Sequence, residues 1–263
     1  MSEAVATARA LAERDERVLT LVLDNPGKRN ALTWDMYEQL EAHLAAARTE
    51  PDLAVVVMRG GGEDGFAAGT DISGLTDLRS ADDGIAYERR VGRVLDLLRS
   101  LPMPTIAAVR GPAVGAGLAL AATCDLVVAE RGAVFGAPIA RTVGNCLPAA
   151  VVARVAARMG AATATGMLLT ASLLRAEELT ASGFVTRLAE PGRLDEALDS
   201  VVTGLLRSAP LTLRALTQTL QRLGDGAATP SNDDLLALCY GSADFAEGVD
   251  AFLAKRRPEW KGR

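Results

Sequence analysis

The sequence predicts an α/β protein with a largely parallel sheet in its core and a helical C-terminal region. Four short runs are apolar on both faces and alternate with helical patterns, as is typical of parallel strands joined by right-handed crossovers. These predicted strands cover residues 17–23, 53–58, 105–109 and 125–129. From residue 147 onward the apolar spacing is mostly helical. We therefore expect an α/β core at residues 1–195 and a helical region at 196–263.

Turn and breaker residues set the limits of the predicted elements. The turn signal at 24–27 ends the first strand, and a helix is expected to begin near Thr33 and to end before Pro51. A second helix is predicted over 82–98 with Ile85 among its inward side chains, and the glycine-rich segment 111–123 is predicted to be helical. The other expected elements are a short strand at 184–188 and helices at 194–206, 211–223, 233–240 and 244–254.

Composition narrows the class of partner. The net charge of −5 does not favour a nucleic-acid binder, which needs clustered Lys and Arg. The basic tail at 255–263 is either a local patch or a solvated chain end. Cys124, Cys146 and Cys239 are widely spaced, which predicts neither a disulfide framework nor a zinc site. With no signal-peptide pattern and no continuous apolar run of about 20 residues, we expect a cytoplasmic protein that contacts no membrane.

Two loop-to-helix junctions, at residues 65–72 and 111–117, carry the pattern of a binding site. Each follows a predicted strand and is rich in small residues, so a ligand can approach backbone N–H groups that the first turn of a helix leaves unpaired. Two such junctions side by side could polarise a carbonyl oxygen and hold the enolate formed from it. The alternative is structural: close packing at 111–117 and a helix cap at Thr70 or Asp71.

Taken with their surroundings, these junctions resemble the crotonase (enoyl-CoA hydratase/isomerase) superfamily along nearly the whole chain. The matching segments, in order, are 25–26 with 30–32, 55–60, 66–72, 104–111, 115–121, 124–125, 135–138 and 251–256. The resemblance implies a crotonase-like spiral of ββα units with a helical C-terminal trimerisation region. It also implies a homotrimer or a dimer of trimers, an acyl-CoA thioester as substrate, and no permanently bound cofactor, with coenzyme A present only as part of the substrate.

The resemblance assigns roles to particular positions. The oxyanion N–H donors fall at Thr70 and Ala116, where Ala replaces the usual Gly. The positions along the CoA arm are Ala31, Ala68, Asp71 and Ile72. Phe252 and Lys255 fall where the last helix, often from a neighbouring subunit, covers the adenosine. On charge grounds Lys28 and Arg29 are candidate phosphate ligands, with a solvent-facing role as the alternative.

This sequence departs from the family where a hydratase carries its two glutamates. The first position is Ala119 and the second is Ile139, or Ala140 under a shifted alignment. None of these side chains can transfer a proton, and loss of one acid or base typically costs a factor of roughly 100 to 10,000. Ordinary two-glutamate hydration is therefore not expected.

Three other side chains are candidates to replace the missing groups. Arg141 could pair with a substrate carboxylate, and Cys146 could act as base or nucleophile, or be only a small buried residue. Glu88 is the best remaining carboxylate, with a solvated helix face as its alternative. The sequence thus predicts a lyase or isomerase acting on acyl-CoA by isomerisation, decarboxylation or bond cleavage. The competing hypothesis is a non-catalytic acyl-CoA-binding paralogue.

Overall fold

A computed structural model of the protein describes residues 7–76, 79–224 and 231–263. The strands are β1 (Arg9–Asp15), β2 (Val18–Asp24), β3 (Val55–Gly60), β4 (Thr105–Val109), β5 (Pro112–Val114), β6 (Leu126–Glu130), β7 (Val134–Gly136), β8 (Leu173–Arg175) and β9 (Arg187–Ala189). The helices are α1 (Trp34–Thr49), α2 (Ala81–Arg99), α3 (Ala116–Thr123), α4 (Ala149–Met159), α5 (Ala161–Leu169), α6 (Leu194–Leu206), α7 (Pro210–Gly224), α8 (Asp233–Tyr240) and α9 (Ala243–Leu253).

The larger sheet confirms the predicted parallel core. Its strand order is β1-β2-β3-β4-β6-β9, and every pair is parallel except the antiparallel pair of β1 and β2. Side chains alternate between two apolar layers, as the pleat requires. Val56, Met58 and Ala107 point into the main core, whereas Val57 and Ile106 point to the opposite face. The sheet is therefore covered on both faces.

Helix α6 provides the cover on that opposite face. Its Leu194 and Leu198 pack against Val55, Val57 and Ile106 of the central strands. The proposed division between residues 195 and 196 stays a prediction, although it falls inside this helix. Among the described residues, no helix has both the length and the apolar character needed to cross a membrane.

The segment predicted as one helix over 111–123 is instead a strand followed by a helix, so that prediction was wrong. Residues 112–114 form β5, which pairs with β7 in a small sheet of β5, β7 and β8. Gly115 then takes φ 56° and ψ −113°, outside the helical region, and α3 begins at Ala116. A helix through this glycine would have left the Val114 N–H without its bond to the Ala67 carbonyl. The tertiary pairing with Ala67 favours the strand.

Other expectations were only partly correct. Strands β1, β7 and β8 were not predicted, and the run at 184–188 pairs with β6 only from Arg187. The Ile85 side chain, expected to face inward, is 49% exposed because the first turns of α2 lie at the surface. The buried face of this helix begins at Val91 and continues through Val94 and Leu98.

A single buried side chain, Asn30, fixes the loops that lead to the first junction. Asn30 is fully buried and has a positive φ of 53°. Its Oδ1 accepts a hydrogen bond from the Asn25 N–H at 2.9 Å, and its Nδ2 donates to the carbonyls of Gly61 at 3.0 Å and Gly65 at 2.7 Å. One side chain thus joins the loop after β2 to two points of the loop after β3.

Replacing Asn30 with alanine is expected to destabilise the protein by about 2 to 4 kcal/mol, because three buried backbone groups lose their partner. Chemical denaturation, with the midpoint and slope fitted together, measures this change. The matched control is Asn232→Ala, since Asn232 precedes α8 without a side-chain capping bond. Equal effects of the two substitutions would contradict the role given to Asn30.

Candidate active site

The two glycine-rich junctions meet through the backbone of Ala67. The Ala67 N–H donates to the Pro112 carbonyl at 2.9 Å, and the Val114 N–H donates to the Ala67 carbonyl at 2.9 Å. The first turn of α3 packs directly on this segment, since a Cβ at Gly117 would lie 2.1 Å from the Ala67 oxygen. Only glycine fits at residue 117 without a shift of the backbone.

This pairing brings the candidate oxyanion donors to one place. A Cβ added to Gly115 would lie 3.7 Å from the Cα of Gly69, so the residues that precede Ala116 and Thr70 are in contact. The Leu32 bridge uses the Gly69 carbonyl and the Asp71 N–H, which leaves the Thr70 N–H directed away from Leu32. Ala116 is the first residue of α3, and no side chain caps that helix. Both N–H groups therefore have the arrangement expected of donors to a ligand.

A cavity of about 330 Å³ opens beside these donors. Thr70 and Ala116 line it together with residues of α2, the turn at 138–141 and the start of α4. Its lining is mostly apolar, and two carboxylates, Glu88 and Asp96, are part of the wall. The combination of an apolar pocket with a few convergent polar groups is typical of a small-molecule site.

Three hydroxyl groups form a chain along one wall. The Thr70 Oγ1 lies 2.7 Å from the Tyr37 hydroxyl and 3.0 Å from the Tyr87 hydroxyl. The Trp34 ring contacts both tyrosine rings, at centroid distances of 5.7 and 5.4 Å. Burial raises the pKa of Tyr37 and of Tyr87, so both phenols stay protonated at neutral pH. The sequence analysis did not predict this chain, because residues 37, 70 and 87 are brought together only by packing.

Glu88 is the sequence-predicted carboxylate that the structure does place at the cavity. Burial raises the pKa of its carboxyl, and no cation faces it among the described residues. Asp96 also lines the cavity but is exposed, and the sequence analysis missed it. The spacing of eight residues along α2 was the available signal, since side chains at i, i+4 and i+8 share a helix face.

Ala119 and Ile139 also line the cavity, whereas Ala140 is exposed and does not. Ala119 lies one turn into α3, beside the Ala116 N–H, so a longer side chain there would reach the reacting region. Neither side chain can accept or donate a proton. Among the described residues, the carboxylates that line the cavity all come from α2.

Arg141 and Cys146 are not brought to the cavity. Both are exposed, and neither contributes to its lining. The Cys146 Sγ lies 3.3 Å from the carbonyl of the next residue, Leu147. The expectation that Cys146 is buried was thus wrong, because the segment before α4 runs over the surface. Catalytic roles for Arg141 and Cys146 stay predictions without a supporting contact.

The candidate CoA-arm residues surround the cavity mouth. Ala68 and Ile72 line it, and Ile72 is 60% exposed. Ala31 is held next to this edge, because the Ala68 N–H donates to the Arg29 carbonyl at 3.0 Å and residue 32 bridges to residue 70. The Asp71 carboxylate instead caps the following turn through Ser73.

Charged groups near this mouth are solvent-facing. Hydrogen bonds from the Ser73 side chain and backbone lower the pKa of Asp71, and the Lys28 charge adds to that effect. Lys28 and Arg29 are both exposed. Their phosphate-binding role stays a prediction.

Phe252 and Lys255 lie away from this cavity within the chain. Phe252 is 84% exposed and borders a separate apolar groove between α7 and α9. Lys255 follows α9 and is exposed. A contact of either residue with CoA would thus involve the site of another copy, as the resemblance implied.

The fold is an α/β fold with an apolar cavity at two helix starts. Comparisons with known proteins identify its family. The family model described as enoyl-CoA hydratase/isomerase matches residues 13–263. This chain belongs to that family, within the crotonase superfamily.

Individual relatives agree along nearly their full length. A 2,3-dehydroadipyl-CoA hydratase of Escherichia coli is 33% identical, over 96% of this chain and 98% of the relative. A 1,2-epoxyphenylacetyl-CoA isomerase of the same organism is 30% identical, over 96% and 98%. The crystal structure of an enoyl-CoA hydratase/carnithine racemase from Magnetospirillum magneticum superposes with a TM-score of 0.89 and 31% identity, covering 100% of this chain and 97% of that one.

The raised pKa of Glu88 predicts a pH-dependent cost to stability. Because its folded-state pKa lies above the unfolded one, its favourable contribution is complete below the unfolded pKa and is lost as pH rises through the folded pKa. Glu88→Gln is therefore expected to raise the melting temperature at pH 7, with a difference that shrinks as pH falls to about 4. Thermal scans across that range, beside the exposed control Glu63→Gln, measure it. A stabilisation that persists unchanged at acid pH would contradict this origin.

Proposed function

We propose that the protein is an enzyme that binds an acyl-CoA thioester and stabilises its enolate between the N–H groups of Thr70 and Ala116. The observation that carries this proposal is the contact of the two junctions through Ala67, which places both donors at the wall of one apolar cavity. One donor of this kind is worth about 3 kcal/mol in a transition state. The hydratases and the isomerase among the relatives support acyl-CoA as the substrate class.

Proton transfer at the α-carbon is assigned to Glu88. It combines a place in the cavity wall with a raised pKa, and a general base works best when its pKa approaches the operating pH. Ala119 and Ile139 occupy the two positions where a hydratase has its glutamates, and neither side chain is an acid or a base. Hydration by the two-glutamate route is therefore not expected. An isomerase moves one proton through an enolate, so carboxylates on the α2 wall alone fit an isomerase better than a hydratase.

The second candidate is a non-catalytic acyl-CoA-binding protein. Its support is specific: apolar side chains stand at 119 and 139, while the backbone donors and the cavity are kept. Both candidates predict binding of CoA thioesters, and they differ only in turnover.

The proposal extends to assembly and location. The exposed apolar side chains of Phe252 and Leu253 on α9 support a homotrimer or a dimer of trimers, in which Phe252 and Lys255 approach a neighbouring CoA site. Lys28 and Arg29 would then bind phosphates at the mouth, no cofactor would be retained between turnovers, and the protein would work in the cytoplasm.

Deuterium exchange at the α-carbon separates an enzyme from a binding protein. Purified protein is incubated in D₂O with saturated and 2- and 3-enoyl-CoA thioesters, and mass change is followed. We expect α-deuteration or double-bond migration, reduced by a factor of about 100 or more in Glu88→Gln. The substitution Glu63→Gln is the control, and Cys146→Ser and Arg141→Met test the two displaced candidates.

Each result of the exchange experiment supports or overturns a particular hypothesis. Binding of acyl-CoA without exchange or product across the series would favour the non-catalytic alternative. Full exchange in Glu88→Gln would remove that residue from the mechanism while keeping the enzyme. Absence of any acyl-CoA binding would overturn the central claim.

A further inference from the structure

A second cavity adjoins the candidate active site on the far side of Ala119. Its volume is also about 330 Å³. The two cavities share wall residues from three helices: Leu95 and Asp96 of α2, Ala119 of α3, and Ala150 and Val151 of α4. We call this shared boundary the neck.

Small side chains form part of the neck. Ala119 and Ala150 border both cavities, and Ala122 and Ala153 continue the wall of the inner one. A glutamate at 119 would add four heavy atoms to a side chain that already borders both cavities. The alanine at this position therefore removes an acid and, by the same change, leaves room for a chain to pass.

Two cationic side chains are part of the lining of this second cavity, which we call the inner cavity. Arg154 of α4 and Arg99, the last residue of α2, both line it. Arg154 is half-buried, and within the described ranges its guanidinium makes no hydrogen bond or ion pair. Arg158, one turn further along α4, is already engaged with the Cys124 carbonyl at 2.8 Å. Arg154 thus differs from its neighbour in having its donors available.

The surrounding charges favour an added anion. Burial, followed by the charges of Arg99 and Arg158, lowers the pKa of Arg154, while Asp125 and Cys124 act in the opposite direction. The Asp125 carboxylate is occupied by the Thr105 N–H and hydroxyl, both at 2.8 Å. Asp96, the carboxylate among the described lining residues of this cavity, is exposed. A carboxylate entering from the neck would meet the planar guanidinium that pairs best with it.

We propose that the two cavities form one acyl channel through the neck at Ala119, and that Arg154 binds a carboxylate at the far end of the acyl chain. The substrate class is then an ω-carboxyacyl-CoA. This inference rests on the proposed function, because it takes the thioester carbonyl to lie at Thr70 and Ala116.

The length of α3 gives a measure of that chain, since Ala116 lines the first cavity and Thr123 lines the inner one. From Ala116 to Thr123 the rise of α3 is about 10 Å. An extended polypeptide spans about 3.3 to 3.6 Å per three backbone bonds, and we take a similar value for an extended acyl chain. Roughly nine bonds then separate the thioester carbonyl from the terminal carboxylate. Acyl chains of about ten carbons fit this distance best.

Calorimetric titration of the full chain tests the proposal without requiring turnover. The probes are straight-chain acyl-CoA thioesters of about six to twelve carbons, each with and without a terminal carboxylate. We expect the ω-carboxyl form to bind more tightly near ten carbons, and Arg154→Met to weaken it by about tenfold to a hundredfold. The uncharged thioester of equal length should change by less than about threefold.

Two further variants guard against a merely structural effect. Arg154→Lys keeps the positive charge but lacks the planar guanidinium that can donate two parallel hydrogen bonds to a carboxylate. We therefore expect a loss of affinity smaller than that of Arg154→Met. Arg187→Met removes an equal charge from an exposed position on β9, outside both cavities, and should bind like the unaltered protein. Melting temperatures of all variants show whether folding is preserved.

The neck itself is tested by Ala119→Leu. Filling it is expected to abolish the preference for the long ω-carboxyl probe while short thioesters still bind. Equal affinities of the carboxylated and plain probes in the unaltered protein would overturn the inference and leave acyl-CoA binding intact. If no thioester of any length bound, the proposed function itself would fail.

Discussion

The candidate site depends on the backbone pairing of Ala67 with residues 112–114. Two hydrogen bonds of 2.9 Å attach the loop after β3 to β5, and Gly117 lets the first turn of α3 rest on the Ala67 carbonyl. Each hydrogen bond is of ordinary strength. Because both join main-chain atoms, they fix the position of the Thr70 segment relative to the start of α3. Loss of either bond would separate the Thr70 and Ala116 N–H groups, since no side chain joins these two residues directly.

An arrangement built from main-chain donors tolerates wide change in the side chains around it. The N–H of Ala116 is unaffected by the methyl group that replaces a hydrogen there, and α3 still begins at that residue. The wall positions 119 and 139 are therefore free to lose charge without loss of the oxyanion geometry. At 119, the smaller side chain also borders a second cavity, and a longer one would fill the boundary between the two. The same substitution can thus change the chemistry and the length of chain that fits.

The local environment of α2 gives its carboxylates different properties. Glu88 faces the apolar wall near Tyr87, and burial raises its pKa, whereas Asp96, two turns further on, is exposed. Sequence analysis identified Glu88 but could not separate it from a solvated helix face beside Arg89 and Arg90. The partial burial of the Glu88 side chain distinguishes these two alternatives. That burial depends on how α2 packs against its neighbours. Arg141 and Cys146 lie at the surface, although both are close in sequence to cavity residues.

The sequence by itself determined the parallel core, most helix limits and the two glycine-rich junctions, because these follow from local apolar spacing, caps and breakers. Helices α6 and α8 begin and end at the residues that periodicity predicts. Tertiary structure decided the rest. Strand β5 replaced a predicted helix because Ala67 offered it a partner, and the chain of hydroxyls from Tyr37 to Tyr87 required three distant segments to meet. Contacts between residues far apart in sequence leave no periodic signal, so neither feature could be predicted from the chain alone.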